Sequence, residues 1–139
     1  MMSERGVLQG VVGVLAVVPV LAGTAGLVAG PGFVGIDPPW SGDLDSHFRY
    51  LSGLLLGLGL AWWSCVPEIE SKGERFRLLA ALTVLGGLGR FLSFGMVGAP
   101  SLGHQIGLML ELVATPMLVI WQARVARIPR WRKARSSAI

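Results

Sequence analysis

Apolar residues run along this chain in four stretches of about twenty, separated by short polar segments. The stretches cover about residues 7–29, 48–66, 78–97 and 103–126. A helix of about 20 apolar residues crosses roughly 30 Å of hydrocarbon, and these runs lack the alternation of apolar and polar positions typical of membrane strands. The pattern predicts an all-α integral membrane four-helix bundle, with 1–139 as a single transmembrane domain.

The composition agrees with a membrane protein rather than a soluble domain. The chain is 53% hydrophobic and only 14% charged, and its mean hydropathy is +0.64. So little sequence lies outside the four stretches that no soluble catalytic module fits beside them. Cys65 is the single cysteine, so an intramolecular disulfide is excluded.

Outside the spans, the basic residues lie on one side of the predicted membrane. The loops at 30–46 and 98–102 contain no Lys or Arg, whereas basic residues occur before the first span, between the second and third, and after the fourth. Cytoplasmic loops carry the excess of Lys and Arg. We therefore expect both termini to be cytoplasmic in a multi-pass protein of the bacterial inner membrane.

The net charge of +4 comes largely from a basic cytoplasmic tail at 127–139. Because membrane topology accounts for this charge, we expect no nucleic-acid partner. Basic residues beside a membrane attract anionic lipids by about 1 kcal/mol each. Membrane lipids are thus the expected partners, with anionic lipid at the tail.

Three charged residues lie in the outer halves of predicted spans, Arg49 in the second, Arg90 in the third and Glu111 in the fourth. At about 1.5 Å of rise per residue, all three fall about 6–10 Å inside the outer helix ends. A charge at a helix centre costs about 2.5–3.5 kcal/mol, so we expect them to meet. Arg90 is expected to hold the Glu111 carboxylate with two hydrogen bonds.

Each of these charges lies in a row of small residues at four-residue spacing, which predicts that they face inward toward other helices. The rows comprise Gly53 and Gly57 after Arg49, Gly86 before Arg90, and Gly103 and Gly107 before Glu111. Glycine rows suit contacts between chains as well, so a homo-oligomer or a larger membrane complex is also compatible with them.

The charge balance of this cluster depends on Asp45, which precedes Arg49 by one helical turn. If Asp45 pairs with Arg49, the cluster is neutral and fixes the register of the helices. If Asp45 or Ser46 instead caps the second helix in water, a residual positive charge favours an anion such as a carboxylate, a phosphate or a lipid head group. Hydrogen bonds at the outer rim are expected from His47, Tyr50, His104 and Gln105.

We therefore expect a non-catalytic protein, either an accessory subunit or a binder of a lipid-like or small anionic ligand. The first alternative is a membrane enzyme on a lipid-like substrate, with Glu111, Asp45 or His47 as acid or base. The second is a small proton-coupled exporter that titrates Glu111. We expect no cofactor and no metal, because two histidines without neighbouring ligands make no metal motif.

Four short segments give the chain a resemblance to a known family. They are HFRYLSG at 47–53, LGGLGRFLS at 85–93, GAP at 98–100 and LEL at 110–112. With them the chain resembles a family of small bacterial four-helix membrane proteins catalogued only as a domain of unknown function. The resemblance covers nearly the whole chain except the basic tail. It implies the fold and the importance of Arg49, Arg90 and Glu111, and it implies no activity.

Overall fold

The computed structural model describes residues 3–127, and in that part of the chain the protein is all-α. The elements are α1 Glu4–Leu15, α2 Val17–Ala29, a 3₁₀ turn Gly30–Val34, α3 Gly42–Trp63, α4 Gly73–Val97, α5 Leu102–Met109, a π turn Leu110–Ala114 and α6 Thr115–Ala126. Four helices result, because α2 follows directly on α1 and the π turn joins α5 to α6.

Three of the described helices are long and apolar enough to cross a membrane. They are Glu4–Val34, Gly73–Val97 and Leu102–Ala126, and they include the first, third and fourth predicted spans. The second predicted span lies mostly within α3, which has 22 residues but is not among the three. The basic tail, where anionic lipid is expected to bind, lies outside the described residues apart from Arg127.

Proline interrupts the first helix. Regular helix ends at Leu15 and resumes at Val17. Pro19 has no backbone N–H, so the carbonyl of Leu15 four residues earlier cannot receive its usual helical hydrogen bond. The interruption at Ala16 therefore falls one residue after the carbonyl that the proline leaves without its donor.

The start of α3 corrects one prediction. The helix begins at Gly42, and its cap is Ser41, whose hydroxyl oxygen accepts a hydrogen bond from the Leu44 N–H at 3.2 Å. Neither Asp45 nor Ser46 is the cap. Ser41 is the cap because a serine in extended conformation immediately before a helix accepts a hydrogen bond from the N–H three residues later. Asp45 therefore lies within the helix.

The chain divides into two compact units. One comprises Gln9–Pro67, and the other comprises the described residues of Met1–Leu8 and Glu68–Ile139. Each unit contains one of the two ion pairs described below. The organisation of the whole chain as one transmembrane domain stays a prediction.

In the unit Gln9–Pro67, α2 packs along α3 at very short range. A Cβ atom placed on Gly23 would lie 2.5 Å from the Leu56 nitrogen and 2.8 Å from the Ser52 carbonyl oxygen. Because these are backbone atoms, they cannot move aside as a side chain would. Glycine at position 23 is therefore required for the two helices to approach this closely.

In the other unit, α4 packs against α5, the π turn and α6. Phe76 and Leu79 of α4 and Val125 of α6 are buried. Gln122 is 1% exposed and donates from Nε2 to the Ile69 carbonyl at 2.9 Å, which satisfies a polar side chain that would otherwise be costly to bury.

The predicted rows of small residues are mostly not the packing faces. Cβ atoms placed on Gly57, Gly86, Gly103 and Gly107 would meet no described atom within 4 Å. Close approaches between helices occur instead at Gly23 and Gly26 of α2, Gly59 of α3 and Gly87 of α4. In α4, Gly87 rather than Gly86 faces the partner helix, because adjacent helical residues point about 100° apart.

Candidate functional site

Arg49 and Asp45 form an ion pair within α3. Nε of Arg49 donates to Oδ2 of Asp45 at 2.9 Å, and the two side chains are 39% and 30% exposed. The residues are four apart, so they lie one above the other on the same helix face. Of the two alternatives that the sequence left open for Asp45, the structure shows the pair with Arg49.

Arg49 also reaches across to the end of α2. Its Nη1 donates to the carbonyl oxygens of Leu27 at 2.6 Å and Val28 at 2.9 Å, both in the last turn of that helix. The last carbonyls of a helix lack intrahelical donors and carry the negative end of the helix dipole. Arg49 therefore acts as a C-terminal cap supplied by a neighbouring helix.

Gly30 makes room for this arrangement. Its φ is +60°, and a Cβ atom placed on it would lie 2.6 Å from Oδ1 of Asp45 and 2.9 Å from Nη2 of Arg49. Glycine alone adopts such a conformation freely and adds no side chain. The turn after α2 is thus shaped around the ion pair.

The Asp45 carboxyl lies ahead of the predicted span, which begins at residue 48, and its acidity is increased. The hydrogen bond from Arg49 lowers the pKa of Asp45 below its ordinary value of 3.8, burial opposes this, and the positive charge of Arg49 adds to the lowering. Asp45 is therefore the anionic partner that the Arg49 guanidinium requires.

The second ion pair joins α4 to the π turn. Nε of Arg90 donates to Oε1 of Glu111 at 3.1 Å and lies 3.0 Å from Oε2. Gly87, one turn before Arg90, permits the contact, because a Cβ atom placed there would lie 2.8 Å from the Glu111 Cβ. The predicted Arg90–Glu111 pair is present, although Nε alone makes it rather than two parallel hydrogen bonds.

Glu111 lies in the irregular part of its helix. Leu110–Ala114 is a π turn, in which Thr115 donates both its N–H and its hydroxyl to the Leu110 carbonyl, the latter at 2.9 Å. Pro116 follows and has no N–H, so it donates no hydrogen bond to the carbonyls of the preceding turn. Single π turns within helices occur frequently at functional sites.

The two arginines differ in what they leave available. Arg49 uses Nε and Nη1 on three acceptors, whereas every hydrogen bond and ion pair of Arg90 with the described part of the chain uses Nε. The Arg90 side chain is 36% exposed. Its two terminal nitrogens are therefore donors without an acceptor among the described residues of its own unit.

The predicted rim residues lie on two different elements. His47 and Tyr50 are exposed on α3, with Tyr50 64% exposed. His104 contacts the Ser101 hydroxyl through Nδ1 at 2.9 Å, and Gln105 donates to the Pro100 carbonyl at 2.8 Å. His104 and Gln105 thus hold the start of α5.

The structure brings the predicted cluster together as two pairs. Asp45 meets Arg49 in one unit, and Arg90 meets Glu111 in the other. The expected meeting of Arg49 with Arg90 and Glu111 stays a prediction. Residues 3–127 contain no group of three or more His, Cys, Asp or Glu side chains placed to hold a metal ion.

Three contacts were not predicted from the sequence. They are the cap at Ser41, the α2 carbonyls as acceptors for Arg49, and the Thr115 hydroxyl bond in the π turn. Ser41 could have been identified because serine is a preferred helix cap and the acidic residues Asp43 and Asp45 follow it in the first turn. The main-chain carbonyls that accept from Arg49 could not have been identified, because every residue has such a carbonyl.

The fold and its paired charges define an all-α protein with apolar helices that suit a membrane. The family follows from comparison with known proteins: residues 7–122 match the family described as "Domain of unknown function (DUF4345)", and the chain belongs to that family. The resemblance read from the sequence is thereby confirmed. No curated protein and no solved structure matches the chain.

Proposed function

We propose that this chain is a non-catalytic, multi-pass protein of the bacterial inner membrane that binds the anionic group of a lipid-like or small ligand at Arg90. In this proposal four helices cross the membrane, both termini are cytoplasmic, and Glu111 orients the guanidinium. The apolar lengths of three helices and the one-sided distribution of basic residues support the membrane placement.

The observation that carries the ligand proposal is the free end of the Arg90 guanidinium. Nη1 and Nη2 form a fork whose spacing matches the two oxygens of a carboxylate or phosphate. In a span, N–H groups without acceptors are costly, because hydrocarbon offers none. A bound anionic group would accept hydrogen bonds from these N–H groups, and Glu111, through its contact with Nε, would hold the guanidinium in position.

Arg49 is assigned a structural role instead. Asp45 neutralises it and two carbonyls of α2 occupy its Nη1. The sequence predicted that this pairing would make the whole cluster neutral and structural. The proposal departs from that prediction at Arg90, because the terminal nitrogens of Arg90 bind no acceptor in its own unit. The sequence predicted a ligand site that contains both arginines, whereas the proposed site contains Arg90 and not Arg49.

The surroundings of Arg90 favour an amphiphilic ligand. Phe94, one turn after Arg90 on the same face of α4, is 39% exposed, so apolar surface adjoins the charged group. A lipid-like molecule can bind its polar end at Arg90 and lay its chain along this surface. An accessory role in a larger membrane complex is compatible with the same surface.

Native mass spectrometry of gently purified protein tests the proposal. The wild-type chain should retain an anionic lipid or small anion, and Arg90→Gln should lose it, because glutamine has no charged fork. Arg127→Gln, which removes an exposed arginine at the end of α6, is the matched control and should retain the ligand. Equal retention by Arg90→Gln, or no ligand on the wild-type protein, would refute the proposal.

A further inference from the structure

We infer that α3 crosses the membrane only when it packs against α2 as the second half of a helical hairpin. Arg49 is the residue that makes the crossing of α3 depend on α2. This inference rests on the membrane placement proposed above. Among the described helices, Glu4–Val34, Gly73–Val97 and Leu102–Ala126 are long and apolar enough to span, and α3 is not among them.

Arg49 is the charged residue of α3 whose hydrogen bonds are completed by α2. Arg49 lies seven residues after the start of α3 at Gly42, about 10 Å along the helix. Two of its three acceptors are the Leu27 and Val28 carbonyls of α2. In hydrocarbon, these donors and acceptors have no other partners. An isolated α3 would carry Arg49 with Asp45 as its single described acceptor.

Close packing of the two helices is the condition for this exchange. Gly23 of α2 lies against the backbone of α3, and Gly59 of α3 lies against Val20, whose nitrogen would be 2.9 Å from an added Cβ. Bulk at Gly23 would force the helices apart, and Arg49 would no longer reach the α2 carbonyls. Packing at the glycine therefore controls whether the arginine is satisfied.

Two reporter cysteines flanking α3 can measure the crossing directly. We would use the full chain with Cys65→Ala and either Asp37→Cys or Ser71→Cys, since both positions are exposed. The chains would be synthesised in a cell-free system onto inner-membrane vesicles. Labelling with a membrane-impermeant maleimide, before and after permeabilisation, assigns each reporter to one side. Reporters on opposite sides show that α3 spans, whichever way the protein is oriented.

The decisive variant changes α2 and leaves α3 intact. Gly23→Leu should place the two reporters on the same side, because α3 then fails to cross. Gly13→Leu makes the same substitution in α1, where an added Cβ meets nothing within 4 Å, and should leave the reporters on opposite sides. Adding Arg49→Leu to Gly23→Leu should restore the crossing, because α3 then needs no acceptor.

Every outcome decides between these accounts. Reporters that stay on opposite sides in Gly23→Leu would overturn the inference, because α3 would then insert by itself. A double variant that stays uncrossed would remove Arg49 as the cause. If the reporters of the unsubstituted chain share one side, the proposed membrane arrangement itself is wrong. Because labelling follows synthesis directly, a variant that is later degraded still gives a result.

Discussion

Arg49 in α3 donates from Nη1 to the carbonyl oxygen of Leu27 at 2.6 Å, twenty-two residues earlier in the chain. The contact joins the charged group of one helix to the electronegative end of another. Loss of the contact removes both a hydrogen bond and a favourable interaction with the helix dipole.

Replacing Arg49 should test the cap at the end of α2. Arg49→Lys keeps the charge but has one nitrogen in place of Nε and Nη1, so it cannot keep the geometry of the bonds to Asp45 and to the two carbonyls at once. We expect a lower unfolding temperature for Arg49→Lys, and a lower one again for Arg49→Gln. Thermal unfolding in detergent measures the order, with Tyr50→Phe as an exposed control on the same helix. Equal stability of Arg49→Lys and wild type would contradict the cap.

Gly23→Ala should destabilise the pair of helices that it joins. The added methyl would lie 2.5 Å from the Leu56 nitrogen, and overpacking of this kind costs about 1–3 kcal/mol. Gly13→Ala is the matched control, because nothing lies within 4 Å of its added methyl; the helix propensity of alanine should leave it unchanged or slightly stabilised. Equal effects of the two substitutions on the free energy of unfolding would contradict the close approach at Gly23.

A double-mutant cycle should detect the Arg90–Glu111 pair. Arg90→Gln or Glu111→Gln alone leaves a charged partner unpaired, whereas the double variant removes both charges. Hydrogen bonds to charged groups contribute about 1.5–3 kcal/mol, so we expect a coupling free energy of about 1–3 kcal/mol. The free energies of unfolding of the four proteins give this value. Purely additive effects would show that the two groups do not interact.

Acid should weaken the protein through Asp45. Its pKa is lower in the folded chain than the ordinary value of 3.8, mainly because of the hydrogen bond from Arg49. A lowered pKa contributes stability that is fully present above the unfolded value and is lost as the pH falls through the folded value. We therefore expect wild type to lose stability relative to Asp45→Asn below about pH 4. Unfolding temperatures between pH 6 and pH 2.5 would show the difference narrowing, and parallel curves would contradict it.

Thr115→Val should loosen the π turn. Valine has nearly the shape of threonine but removes the hydroxyl that donates to the Leu110 carbonyl at 2.9 Å. The loss of one such bond costs about 0.5–1.5 kcal/mol, and Thr115 is only 6% exposed. We expect lower stability and faster amide hydrogen exchange around Glu111. Unchanged exchange at Glu111 would show that the hydroxyl does not hold the turn.

Much of the fold was readable from the sequence, because apolar runs of about twenty residues give a strong signal for long helices. The first, third and fourth predicted spans each lie within a helix that could cross a membrane. The second was harder, because Asp43, Asp45 and Arg49 place charges in the first half of α3. Its start was predicted too late, since the cap at Ser41 lies before those charges.

The site was readable to a lesser extent. Spacing allowed a pair of Asp45 with Arg49 but left capping by Asp45 open, whereas the need to pair embedded charges identified Arg90 with Glu111. The packing faces were predicted wrongly at Gly86, since the structure uses Gly87. Rows of four-residue spacing cannot distinguish adjacent helix faces when glycines occur at both. The π turn depends on the exact register around Thr115 and Pro116, which periodicity does not resolve.

The oxygens that receive Arg49 belong to the main chain, and every amino acid brings the same oxygen. Positions 27 and 28 can therefore exchange one apolar residue for another over generations while the bond persists. Related chains should show no paired changes between position 49 and these two positions, whereas position 45, which contributes a side chain, should change in step with it.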